Sequence, residues 1–145
     1  MSPFDTISAS EILPQREPFV FVDRLVHYDE RETVTAFTVL AEHLLVADGY
    51  LTAPGILENM AQSSAARIGY LCKFILHVPV RVGYIGAIRK FRVYRLPAVG
   101  ETLTTTILFR EDVFGISLVD AVVRVGEDLI AEASLKTTLG EKEAE

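Results

Sequence analysis

A chain of 145 residues, half of them apolar, is long enough for one packed core and too short for two comfortable domains. Its formal charge of -6 argues against a nucleic-acid partner, because phosphate binding needs a basic face. No apolar run reaches the length of a membrane span, no basic-then-apolar leader opens the chain, and Cys72 as the only cysteine excludes an internal disulfide. The sequence therefore reads as soluble and cytoplasmic, with no membrane partner.

A single domain over residues 1–145 is expected, with frayed ends at 1–6 and 140–145. The first element is a short helical turn at Ser8-Ala9-Ser10-Glu11, where Ser8 and Glu11 have capping-box spacing; Pro14 ends it. Phe19 to Tyr28 and Thr33 to Leu40 are β-branched and aromatic around a charged turn at Asp29 to Glu32, the pattern of an antiparallel hairpin. A loop follows from Ala41 to about Ala53, with Asp48-Gly49 as its turn signal.

Ala53 to Leu76 reads as one long helix, apolar or small nearly all round, and so covered on most sides. Glu58 is the only charged side chain between Pro54 and Ala66. Placed in the first turn, it stands where the helix dipole favours its anion and burial opposes it. Beyond His77 and Pro79 the chain is strand-like: Arg81 to Ile88, Phe91 to Arg95, Thr102 to Arg110, Phe114 to Val125 and Leu129 to Leu139, with breaks of turn composition between them. One buried helix and six or seven antiparallel strands make an α+β fold in which the sheet curls around the helix.

Chemistry-bearing patterns are few. No Cys/His cluster has zinc spacing, so no metal site is expected, and no phosphate-binding or dinucleotide glycine pattern calls for a cofactor. Cys72 reads as a packed core thiol. Arg81, Arg89, Lys90, Arg92 and Arg95 are 5 of the 14 cations and have no acid among them. This run is read either as ordinary strand charges or as a patch that steers an acidic partner.

Four stretches, in this order, carry a resemblance: LPQREPFVFVDR (Leu13 to Arg24), ENMAQ (Glu58 to Gln62), GYIGAI (Gly83 to Ile88) and VYRLPAVGETL (Val93 to Leu103). Together they resemble the hotdog-fold β-hydroxyacyl-[acyl carrier protein] dehydratases of fatty-acid synthesis and their relatives in polyketide-like and aryl-polyene pathways. The likeness spans about Ile7 to Leu139, with Gln15 in place of the family's usual histidine. It implies a hotdog fold, a homodimer or an assembly of dimers with acyl tunnels between subunits, and a lyase activity that needs no cofactor. The substrate implied is a 3-hydroxyacyl thioester of acyl carrier protein or coenzyme A, which loses water to a 2-enoyl thioester. Glu58 is implied as the catalytic carboxyl group, Gly49, Ala53, Gly55, Gln62 and Gly86 as substrate-binding, and Arg89, Lys90, Arg92 and Arg95 as a docking patch for the carrier. Asp23 and Arg24 match a structural Asp-Arg pair.

In that family a histidine in a Gly-His-Phe motif ahead of the helix acts as the base, and here Gly49-Tyr50-Leu51 stands in its place. A phenol with an ordinary pKa of about 10 is a poor base for a carbon acid and a better hydrogen-bond donor. Tyr50 serves in a modified mechanism, or another histidine substitutes, or the chain binds acyl thioesters as a non-catalytic partner of an active homologue. Thioester hydrolysis, with the helix carboxylate activating water, is a further alternative. His43, seven residues before Tyr50, reads as a solvated loop histidine, and His27 and His77 are weaker candidates.

Overall fold

The computed structural model describes residue 4 and residues 7–143, with side chains described through Leu139. Helix α1 (Ala9–Ile12) leads into an extended strap, then strands β1 (Arg24–Tyr28) and β2 (Glu32–Thr38). A small hairpin of β3 (Val46–Ala47) and β4 (Tyr50–Leu51) precedes the long helix α2 (Ala53–Tyr70), which runs on as one π-helical turn over Leu71–Ile75. Four long strands follow: β5 (Arg81–Val93), β6 (Thr102–Val113), β7 (Ile116–Val125) and β8 (Asp128–Glu143). They complete an antiparallel sheet of order β1-β2-β6-β7-β8-β5, with α2 packed on one face.

Alternation sets that face. Thr33, Thr35 and Phe37 of β2 and Leu103, Thr105 and Ile107 of β6 are buried, while their neighbours in sequence point away. Ile56 and Met60 of α2 join Phe37, Leu103, Ile107, Val119, Ala121 and Leu135 in the main core. A second cluster, with Ile12, Leu13, Val22, Leu25 and Ala66, seats α1 against the far end of α2. There α1 comes so close that a β-carbon at position 69 would overlap the Ile12 carbonyl, so Gly69 is required by the packing.

The α+β reading with a curled sheet around a long helix agrees with this architecture. Several boundaries differ from expectation. The two strands foreseen at Arg81 to Ile88 and Phe91 to Arg95 are one, because the register shift between Arg89 and Arg92 is absorbed in a bulge with Lys90 at φ 55°. The β6–β7 reversal lies at Phe114-Gly115 (φ 52° and 79°), not at Glu111-Asp112, since two consecutive left-handed residues make the tight hairpin turn. β1 starts at Arg24, not Phe19: the strap's backbone is bonded to side chains of α2. At the C-terminus β8 continues through 140–143, where fraying was expected; of the other end positions, 1–3, 5–6 and 144–145 lie outside the described residues.

Candidate active site

Glu58 is not in the first turn of its helix. α2 begins at Ala53 after the N-cap Thr52, and its first turn holds no acid, so Glu58 stands one turn further in and partly buried. The dipole argument made from sequence therefore weakens, because that effect fades beyond the first turn.

Two neighbours in the same motif explain how Glu58 is held. Gln62 donates from Nε2 to Glu58 Oε1 at 3.0 Å and to the Phe19 carbonyl at 2.8 Å, while its Oε1 accepts the Phe21 N–H at 2.6 Å. Asn59 donates from Nδ2 to the Phe21 carbonyl at 2.7 Å and accepts from Thr105 Oγ1 at 2.6 Å. The strap is thus sewn across α2 by two buried amides. Both Gln62 amide hydrogens are spent in this way, so its place is beneath the carboxylate. Glu58 Oε2 accepts no hydrogen bond among the described residues.

The start of α2 is open. Thr52 turns its hydroxyl to the Leu45 carbonyl (2.7 Å), so no side chain caps the helix and the N–H groups of Ala53 and Gly55 lack a capping acceptor. Leu51 packs where a β-carbon of residue 55 would lie, which makes Gly55 a close-approach glycine. Gly49 and Asp48, at φ 83° and 54°, form the β3–β4 turn, and the Gly49 carbonyl accepts the Val99 N–H at 2.9 Å.

Tyr50 lies on the other side of β4 from the fully buried Leu51. It is 48% exposed and sits in an open depression with Arg95, Leu96, Ala98 and Glu101. Glu58 is not among the residues that line that depression. Arg95 also parts from the docking group. Its guanidinium is forked onto Glu101 at 2.8 and 3.2 Å and reaches Asp128 at 3.5 Å. This pairing holds the Glu101 carboxyl below its ordinary pKa and raises that of Arg95. Lys90 and Arg92 instead line a depression on the outer sheet face with Arg110, Asp120 and Glu132. Gly86, expected to touch substrate, is exposed on β5; the strand's close-approach glycine is Gly83, against Ile68.

His43 is not a solvated loop residue. Its ring stacks on Phe37 with centroids 4.7 Å apart, and Nδ1 accepts the Leu40 N–H at 3.0 Å. Neutral His43 therefore carries its proton on Nε2, a donor and not a base. His27 pairs with Asp29 at 2.7 Å; with Glu32 these form the one cluster of metal-ligand type among the described residues, their ligand atoms within 4.8 Å. Asp29 also accepts the N–H groups of Arg31 and Glu32, so the cluster stabilises the β1–β2 turn.

Comparison with known proteins adds a lineage to this geometry. Residues 7–145 match a family model described as ApeP-like, ApeP dehydratase. Among curated relatives, the 3-hydroxyacyl-[acyl-carrier-protein] dehydratase FabZ of Desulforamulus reducens is 33% identical over 95% of this chain and 99% of its own. That of Pasteurella multocida is 30% identical over 89% of each. Among solved structures, a chain of the dehydratase heterocomplex ApeI:P from Xenorhabdus doucetiae superposes with a TM-score of 0.83 at 17% identity, covering 94% of this chain and 93% of that one. A hypothetical thioesterase with coenzyme A from Streptococcus pneumoniae superposes at 0.65 with 10% identity, over 83% and 87% of the two chains. These likenesses establish the hotdog fold.

Proposed function

Because the chain belongs to the ApeP-like dehydratase family, we propose that it is a lyase acting on 3-hydroxyacyl thioesters, releasing water and leaving a 2-enoyl thioester. The observation that carries this is Glu58: a lone carboxylate in an apolar helix, anchored at one oxygen by Gln62 and free at the other. The carboxylate takes the α proton and returns it to the departing hydroxyl, so the Cα–H and Cβ–O bonds break, the Cα=Cβ bond forms and water leaves. The enolate oxygen that develops meets the uncapped N–H groups of Ala53 and Gly55.

Tyr50 stands where the resemblance assigns the base, and its phenol suits hydrogen-bond donation to the substrate. That Glu58 does not line the depression holding Tyr50 fits a site shared by two protomers, Tyr50 from one and Glu58 from its partner. The free edge of β5, with Tyr84 and Ile88 exposed, offers the seam. FabZ relatives are named for acyl-carrier substrates, and Arg89, Lys90 and Arg92 are the cations available to receive an acidic carrier.

Purified protein is assayed for hydration of a 2-enoyl thioester, on carrier protein and on coenzyme A, beside Glu58→Gln and Tyr50→His. Activity lost with Glu58→Gln supports the reading; thiol release without enoyl conversion favours hydrolysis. A second reading is favoured by the missing histidine and by the likeness to a chain of a dehydratase heterocomplex: a subunit that binds acyl thioester beside an active homologue. Silence of the protein alone, with activity appearing in Tyr50→His or on adding such a homologue, selects it.

A further inference from the structure

A row of polar side chains on one face of α2 meets the sheet, and every member but the last is paired. Asn59 accepts from Thr105 at 2.6 Å, and one turn on Ser63 and Thr35 share a hydrogen bond of 2.7 Å. A further turn along, the same face carries Arg67. Its guanidinium lies 4.5 Å from the centroid of the Phe109 ring, and among the described residues it donates no hydrogen bond and has no carboxylate within ion-pair distance. Register sets the sheet beneath it: Thr33 of β2 stands between Tyr28 of β1 and Ile107 of β6, all on the face toward α2, with Phe109 two residues beyond Ile107. Thr33 is fully buried, yet its Oγ1 has no hydrogen-bond partner. The Tyr28 ring packs on Tyr70 of α2, with centroids 4.4 Å apart, and its hydroxyl makes no hydrogen bond among the described residues. Burial pushes the Tyr28 phenol above its ordinary pKa and the Arg67 cation draws it down, so the two groups lie within electrostatic reach.

We propose that Arg67, Thr33 and Tyr28 form a binding site for a monocarboxylate, of which acetate is the simplest. A carboxylate offers about four lone-pair directions on its two oxygens. Two of them match the guanidinium fork, and the Thr33 and Tyr28 hydroxyls supply donors for the others. A buried hydroxyl and a half-buried cation without acceptors are both costly, and one ligand that pairs both offsets that cost. Arg67 and Tyr28 are only half-buried, so the place is reached from solvent. The neighbouring acids limit the ligand's charge. Asp112 acts on Arg67, and Asp29 and Glu30 act on Tyr28. Asp112 is tied into the β6–β7 turn, where its Oδ1 accepts the Gly115 N–H at 3.2 Å. Arg67 matches a single negative charge, whereas a dianion meets repulsion from these acids. Arg67 lies about 14 Å along the helix axis from Glu58, so the site is separate from the proposed reaction and does not depend on it.

The test uses the full chain with acetate as the probe and chloride to hold ionic strength constant. In a magnetic-resonance titration the Arg67 Nε–H signal and the Thr33 amide signal are expected to shift with acetate and to saturate. Inorganic phosphate as the dianion is expected to bind about tenfold more weakly. Thr33→Val removes the hydroxyl at nearly constant shape; acetate binding should weaken about five- to tenfold, with no loss of stability in the absence of acetate. Arg67→Met keeps an apolar stem over Phe109 and should abolish saturation. If that variant does not fold, Tyr28→Phe takes its place, with an expected weakening of about fivefold. A parent protein whose signals do not saturate, an affinity unchanged by Thr33→Val, binding that survives Arg67→Met or is indifferent to Tyr28→Phe, or phosphate dianion bound as tightly as acetate overturns the proposal.

Discussion

Gln62 Nε2 lies 3.0 Å from Glu58 Oε1, one helical turn away, and the same amide grips the strap at Phe19 and Phe21. The carboxylate is thus fixed by a side chain that is itself fixed by backbone more than forty residues earlier.

Gln62→Ala leaves a buried cavity and strands the Phe21 N–H and the Phe19 carbonyl. It is expected to lower unfolding free energy by about 3 kcal/mol. Urea denaturation measures this, and a change below half that size would mean that the strap is held elsewhere.

Glu58→Gln preserves shape and the contact with Gln62 while removing the exchangeable carboxyl proton. Turnover should fall by roughly 10² to 10⁴ with thermal stability little changed. A rate within threefold of the parent removes Glu58 from the chemistry.

Tyr50→Phe deletes only the phenolic hydroxyl. If that group donates to the substrate, kcat/KM drops about tenfold without loss of fold, since the residue is exposed and outside the core. An unchanged value would leave Tyr50 as a wall residue.

Asp29 has its folded-state pKa lowered from 3.8 to about 2, chiefly by the His27 hydrogen bond and then by the Glu32 and Arg31 N–H groups. The folded form binds fewer protons than the unfolded one, so this contribution is present above pH 3.8 and is lost as pH falls toward 2. Asp29→Asn should flatten the stability profile in that window; equal slopes for parent and variant would contradict it.

Gly55→Ala drives a methyl group into Leu51 at the base of the β3–β4 hairpin. An overpacking cost of about 1–3 kcal/mol is expected, and the displaced hairpin should lower activity beyond what the stability loss explains. Thermal unfolding and steady-state rates, measured together, separate the two effects.

Much of this was legible in the sequence because the signals were local. A lone charge in a small-residue helix singled out Glu58 as a candidate, Asp48-Gly49 marked its turn, and Ser8 with Glu11 marked α1, where the Ser8 N–H donates to Glu11 Oε2 at 2.9 Å. What escaped was non-local. Asn59 and Gln62 act on residues 38 to 43 positions away, and no periodicity announces such partners. The bulge at Lys90 hides for a related reason: positive φ at a lysine has no composition signal, so one strand read as two. Ser64 looked like one more small helical residue until its hydroxyl was found buried and unpaired.

The unpaired side of β5 has a consequence outside catalysis. Thirteen residues of strand stand at the sheet's end, and between Arg81 and Arg89 the seven from Val82 to Ile88 carry no charge. Such a margin is a template for any passing β-segment, and the cations at its two ends, Arg81 and then Arg89, Lys90 and Arg92, oppose unwanted additions. Left uncovered, such a margin favours strand-to-strand association, and the protein should aggregate more readily as its concentration rises.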